Sequence, residues 1–219
     1  MSSISDEINT IRDRLGPATS LLAVSKTRPS SMIEQAYRIE QRHFGENKVQ
    51  ELFDKSNELS HLSEICWHFI GHLQSNKINQ LLKVKSLVSI HSIDSSKLLE
   101  KLLSKKIDRS VGLFLQLNTS GENEKGGFTN LTELESAADK IKEHNDFYLQ
   151  GLMTIGKIRT ERFEDDARAS FQKLAQYKKD LGLDKLELSM GMSSDFEIAQ
   201  EYGSNWVRIG SQIFGSRRS

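Results

Sequence analysis

The amino-acid sequence predicts an α/β protein folded as a single-domain (β/α)8 TIM barrel, and three observations carry that prediction. Short apolar runs rich in Leu, Ile, Val and Phe alternate along the chain with longer charged stretches whose apolar residues recur at helical spacing. No hairpin signal joins one apolar run to the next, so the strands should run parallel with helical crossovers. Eight runs occur in 219 residues, the count at which a parallel sheet closes on itself and near the lower end of the ~200 to 400 residues that such barrels use. The alternative, an open doubly wound sheet, usually announces itself by a G-x-G-x-x-G first turn, which is absent. There are only two prolines and no repeat, low-complexity tract or linker, so residues 1–219 are read as one domain.

In order, a helical stretch at Ser2–Leu15 is stopped by Gly16 and Pro17 ahead of the first strand, Leu21–Ser25. The helix Ser30–Glu40, opened by Ser30, leads to a short strand at His43–Phe44 and then the helix Lys48–Leu59. Strand His68–Ile70, helix Gln74–Leu82 and strand Leu87–Ile90 follow. Asp94-Ser95-Ser96 caps the helix Ser95–Ser104, after which Gly112–Leu117 is the fifth strand. Thr129 is expected to open the helix Leu131–Glu143. The remaining units are strand Tyr148–Met153, helix Glu161–Leu181, strand Glu187–Ser189, helix Asp195–Glu201, strand Trp206–Ile209 and a last turn at Gln212–Phe214.

Charge and cysteine usage narrow the function. Lys plus Arg (30) and Asp plus Glu (30) cancel, which removes the bulk attraction behind nonspecific nucleic-acid binding. The single cysteine, Cys66, suits a reducing compartment. The N-terminus is polar, and no apolar run approaches the ~20 residues needed to span a bilayer, so a cytoplasmic protein without a membrane partner is expected.

In a (β/α)8 barrel the active site is built where strands end, so polar residues just after each apolar run are the candidates. Lys26 directly follows Leu21-Leu22-Ala23-Val24-Ser25. Partial desolvation at a barrel mouth favours the neutral amine, which can attack a carbonyl, although the ordinary use of a lysine is a solvated surface loop. The other end of the chain adds weight. The loops after strands 7 and 8 commonly bind phosphate in this fold, and here they read Met190-Gly191-Met192-Ser193-Ser194-Asp195 and Gly210-Ser211. The glycines let backbone approach a ligand and the serines offer hydroxyls, against the plainer reading of helix capping. An imine-forming amine opposite a phosphate cradle points to pyridoxal 5′-phosphate (PLP), an aldehyde bearing a phosphate.

Several blocks then resemble one family. Leu22-Ala23-Val24-Ser25-Lys26-Thr27, Phe44-Gly45-Glu46-Asn47, Trp67 to Lys77, Gly151-Leu152-Met153-Thr154, Leu188 to Asp195 and Arg208-Ile209-Gly210 are similar to the signature blocks of the pyridoxal phosphate homeostasis protein family, the YggS/PROSC type. The resemblance implies a fold type III PLP protein like the N-terminal barrel of alanine racemase, with Lys26 as the Schiff-base lysine. It also implies that Ser193, Gly210 and Ser211 hold the phosphate, that Arg208 faces the pyridine nitrogen, and that Asn47 and the block His72 to Asn76 lie at the mouth. Lys48 stands where relatives often carry an aromatic residue, and Ser211 and Gln212 stand where they carry threonine and alanine.

A guanidinium beside the ring nitrogen disfavours ring protonation and weakens the electron sink, so carbanion chemistry is poorly supported. Alanine racemases take a second acid/base, a tyrosine, from a further domain of a partner subunit, which is not found before Ser219. Tyr37, Tyr148, Tyr177 and Tyr202 fall in helical stretches or at a strand start. The expected function is a monomeric carrier or regulator that holds PLP and exchanges it with PLP-dependent apoenzymes. A small PLP-dependent racemase or lyase is the alternative, and a phosphosugar enzyme using Lys26 a third reading.

Three weaker signals are set aside. Cys66, His68 and His72 lack a fourth ligand for a metal. Gly121–Gly127 lacks the Lys-Ser/Thr pair of a phosphate-binding P-loop and reads as a mobile loop, and no G-x-S-x-G elbow occurs. Trp206 and Phe214 are read as core.

Overall fold

A computed structural model describes residues 3–121, 126–156, 160–182 and 185–215. Strands β1 (Ser20–Val24), β2 (His43–Glu46), β3 (Cys66–Phe69), β4 (Leu87–Ile93), β5 (Val111–Gln116), β6 (Phe147–Met153), β7 (Glu187–Ser189) and β8 (Trp206–Ile209) pair in chain order. All pairings are parallel, and β8 returns to β1 with Leu22 opposite Arg208, closing the barrel.

The surrounding helices are α1 (Ile4–Asp13), α2 (Ser30–Arg38), α3 (Val49–Glu58), α4 (Ile78–Leu81), α5 (Ser96–Leu103), α6 (Leu131–Lys142), α7 (Phe163–Asp180), α8 (Phe196–Glu201) and α9 (Ser211–Phe214). Their inner faces are the apolar stripes: Ile33 and Ala36 of α2, Leu98, Leu99 and Leu102 of α5, and Leu134, Ala137, Ala138 and Ile141 of α6 are buried against the outer face of the sheet. Each large aliphatic so buried contributes about 1.5–3 kcal/mol, enough to fix which face each helix turns inward.

Several boundaries differ from those read in the sequence, each for a local reason. Helix α2 is preceded by Pro29 rather than capped by Ser30, whose Oγ instead donates to Glu58 Oε2 at 2.6 Å. Asn130, not Thr129, caps α6, accepting from Glu133 N at 2.8 Å. The stretch expected as one helix from Gln74 begins as a 3-10 turn, Ser75–Lys77, before the single turn of α4. Strand β2 continues through Gly45 and Glu46, and β4 through His91, Ser92 and Ile93, because their polar groups find partners inside the fold. Most of the Gly121–Gly127 stretch lies outside the described residues.

The barrel interior departs from the branched apolar filling usual for this fold. An apolar cluster of Leu22, Phe114, Met153 and Trp206 occupies part of it. Beside that cluster runs a file of polar side chains. His91 Nδ1 of β4 lies 2.8 Å from Ser189 Oγ of β7, a contact between non-neighbouring strands that crosses the barrel. No described helix is long and apolar enough to cross a membrane.

Candidate functional site at the barrel mouth

Residues that follow β1, β2, β7 and β8 converge at the C-terminal end of the barrel. Lys26, half-buried, follows Ser25 at the end of β1. Its two neighbours are tied down from β2 and α3. Ser25 Oγ donates to Glu46 Oε1 at 2.6 Å, and Thr27 N donates to Glu51 Oε1 at 2.5 Å. Lys55 joins these anchors: its Nζ donates to Ser25 O at 2.8 Å, Glu46 Oε1 at 2.8 Å and Glu51 Oε1 at 2.7 Å, using all three ammonium protons. Thr27 has φ of 64°, a left-handed conformation unfavourable for a β-branched residue. The turn is closed by Arg28 N donating to Ser25 O at 3.0 Å. Burial pushes the Glu46 carboxyl up, while Lys55 and the Ser25 hydroxyl pull it down.

The last two loops meet beside this turn. Ser193 Oγ and Ser211 Oγ lie 3.4 Å apart, one from the β7–α8 loop and one at the start of α9. Gly210 brings its loop against β1: a Cβ there would sit 2.8 Å from Val24 O, closer than a side chain tolerates. Arg28 Nη2 reaches Gly215 O at 2.5 Å, a second tie between the loop after β1 and the end of α9. Gly191 adopts φ of 94° and leaves room for Phe196 and Ala199 of α8. The carboxylate of Asp195 holds the turn between them, accepting from Met192 N at 2.5 Å.

Arg208 is buried beneath these loops, with Nη1 donating to Ser189 Oγ and Nη2 to Thr154 O, each at 2.8 Å. Burial lowers its pKa to about 10, with Asp195 opposing, so it remains a cation at neutral pH. Asn47, just beyond β2, has a buried Oδ1 with no hydrogen-bond partner among the described residues. A polar atom so placed at the mouth calls for a ligand donor or a water.

The sequence-derived candidates therefore divide by position. Lys26, Ser193, Gly210, Ser211 and Arg208 occupy the adjoining ends of β1, β7 and β8, and Asn47 follows β2. His72 is exposed and paired with Asp94 at 2.9 Å, and Gln74, Ser75 and Asn76 are exposed. Lys48 is an exposed residue preceding α3. Sequence reading missed Lys55 and Glu51, which brace Lys26, and took His68 as plain core. The available signal was polar residues repeating at alternate positions of a strand, as Ser89 and His91 do.

The family model for the alanine racemase N-terminal domain matches residues 1–218. A protein of Schizosaccharomyces pombe named pyridoxal phosphate homeostasis protein is 40% identical over 99% of this chain and 94% of its own length. The chain belongs to the pyridoxal phosphate homeostasis protein family. A solved structure similar to this family member is PipY of Synechococcus elongatus PCC7942 with PLP bound, at 34% identity and a TM-score of 0.86, covering 97% of this chain and 100% of PipY. Alanine racemase from E. faecalis, at 16% identity and a TM-score of 0.77, covers 99% of this chain and 58% of its own, a likeness of fold alone.

Proposed function

We propose that the protein binds pyridoxal 5′-phosphate at the barrel mouth and serves PLP homeostasis as a carrier, with one barrel, residues 1–219, as the functional unit. The convergence of the β7 and β8 loops on the end of β1 carries this reading. The paired hydroxyls of Ser193 and Ser211, which can donate, the side-chain-free approach of Gly210 and the unpartnered acceptor Oδ1 of Asn47 form a polar cradle that fits a phosphorylated aldehyde. The PLP-bound relative adds support.

In this reading Ser193, Gly210 and Ser211 hold the phosphate, Asn47 contacts the cofactor from the β2 side, and Arg208 faces the ring nitrogen. Bound there, PLP would supply an aldehyde, and Lys26 would hold it through its amine. Lys55 and Glu51 hold the backbone on the two sides of Lys26 and Glu46 holds the Ser25 hydroxyl, which together present the Lys26 amine in one place. Arg208, still cationic, disfavours a second positive charge on the ring and leaves substrate carbanions poorly stabilised. No described tyrosine lies on a loop that follows a strand: Tyr37 and Tyr177 are in α2 and α7, Tyr202 ends α8 and Tyr148 is near the start of β6. These features favour binding and release over efficient catalysis, with PLP-dependent apoenzymes as recipients and a monomer as the working form.

Purified protein mixed with PLP should show an absorbance band that borohydride removes and that Lys26→Ala lacks. A colourless complex, or an unchanged band in Lys26→Ala, contradicts the proposal. Single-enantiomer amino acids incubated with the loaded protein in deuterated water should show no turnover-level exchange or inversion.

A further inference from the structure

Behind Arg208 the polar file inside the barrel forms an unbroken chain of hydrogen bonds. Arg208 can only donate, and it donates to Ser189 Oγ at 2.8 Å. The Ser189 hydrogen then turns to His91 Nδ1, 2.8 Å away, which must accept. A neutral imidazole that accepts at Nδ1 carries its proton on Nε2. His91 Nε2 accordingly donates towards Ser89 Oγ at 2.9 Å and His68 Nδ1 at 3.0 Å, and Ser89 Oγ donates on to His68 Nδ1 at 2.6 Å. His68 accepts at Nδ1 and so donates from Nε2 to His43 Nδ1 at 2.9 Å.

Every link is satisfied when all hydrogens point away from Arg208. The opposite sense would aim two hydrogens, from Arg208 and His91, at the Ser189 oxygen. The Ser189 hydrogen would then have no acceptor among the described residues. Packing holds the rings in place. His91 stacks on Phe114 at 4.1 Å between centroids, and Trp206 lies against His43 at 4.9 Å and His68 at 5.0 Å. His68 and His91 are fully buried, and that burial keeps both imidazoles neutral. The last ring, His43, is half-buried and lines a cleft of about 450 Å³ at the opposite end of the barrel with Arg12, Glu40, Gln41 and Arg42.

We propose that Ser189, His91, Ser89, His68 and His43 form a one-way hydrogen-bond relay that positions Arg208 from behind. These are positioning residues, and the relay fixes one tautomer in each of three histidines. Its effect on a bound cofactor rests on the reading above, in which Arg208 faces the ring nitrogen. With Nη1 held by Ser189 and Nη2 by the Thr154 carbonyl, the guanidinium has one orientation to offer.

Two measurements test the relay. The first is nitrogen NMR on full-length protein carrying ¹⁵N-labelled histidine, without added PLP. His43, His68 and His91 should be neutral with protons on Nε2, and a proton on Nδ1 of His68 or His91, in either a neutral or a charged ring, overturns the proposal. The second is the absorbance of PLP-loaded protein. Ser189→Ala should keep the borohydride-sensitive band but move its maximum and weaken PLP retention about tenfold, and Ser189→Thr, which keeps the hydroxyl, should restore both. An unmoved maximum and retention in a folded Ser189→Ala protein overturn the positioning role. If wild-type protein takes up no PLP, the proposed function fails, and the tautomers alone then decide the relay.

Discussion

Lys55 shows how much a single side chain can carry at this site. It is buried, its ammonium bridges Glu46 and Glu51, and it also holds the Ser25 carbonyl directly before Lys26. Removing one partner of a buried ion pair leaves the other charged group desolvated and uncompensated, a loss of about 3–5 kcal/mol. Lys55→Met should therefore lower the unfolding free energy obtained from urea denaturation by about that much and slow PLP capture, whereas Lys55→Met combined with Glu46→Gln should recover part of the stability. Equal loss in the single and double variants would show that Glu46 does not depend on Lys55. None of this was legible in the sequence, where Lys55 is one of several charged residues in an amphipathic helix. Its role depends on α3 lying over β2, a contact that a linear reading does not contain. Lys26 was legible because its position just after an apolar run is local information.

At the scale of elements, the order of strands and helices was legible because each is marked by its own periodicity and each crossover by its length. The ends were less so, above all in β2 and β4. Glu46 and His91 look like strand-ending residues until the fold supplies their partners, Ser25 with Lys55 and Ser189 with Ser89. The loops after β7 and β8 stood out in the sequence by their glycines and serines, but their closeness to β1 depends on Gly210. Gly210→Ala would place a Cβ 2.8 Å from Val24 O and force the β8–α9 turn outward. The expected cost is about 1–3 kcal/mol of stability, with at least tenfold weaker PLP retention. Unchanged PLP retention in a folded Gly210→Ala protein would show that the turn's approach to β1 does not shape the cradle.

For the whole molecule, the polar barrel interior ties stability to pH. Burial holds the imidazoles of His68 and His91 well below the ordinary range. Once unfolded, both bind protons as the pH falls through about 6.5. The unfolded state then carries more protons than the folded one, so stability is complete above that pH and is lost on acidification. The limiting slope for the pair is about 2.7 kcal/mol per pH unit. Glu46 and Asp195, whose carboxyls burial pushes up, have the opposite sign and offset part of the loss. Urea midpoints measured from pH 7 to pH 5 should fall, and a flat profile would mean that His68 and His91 are not both held neutral in the folded protein. The barrel closure was legible from the count of strands, while the polar filling was not, since a buried histidine and an exposed one are written with the same letter.

The most direct test of the central claim is to reduce the PLP-loaded protein with borohydride, digest it and locate the modified lysine by mass spectrometry. Attachment on Lys26 alone is the predicted result. Attachment spread over surface lysines, or concentrated on any lysine away from the barrel mouth, would contradict the account.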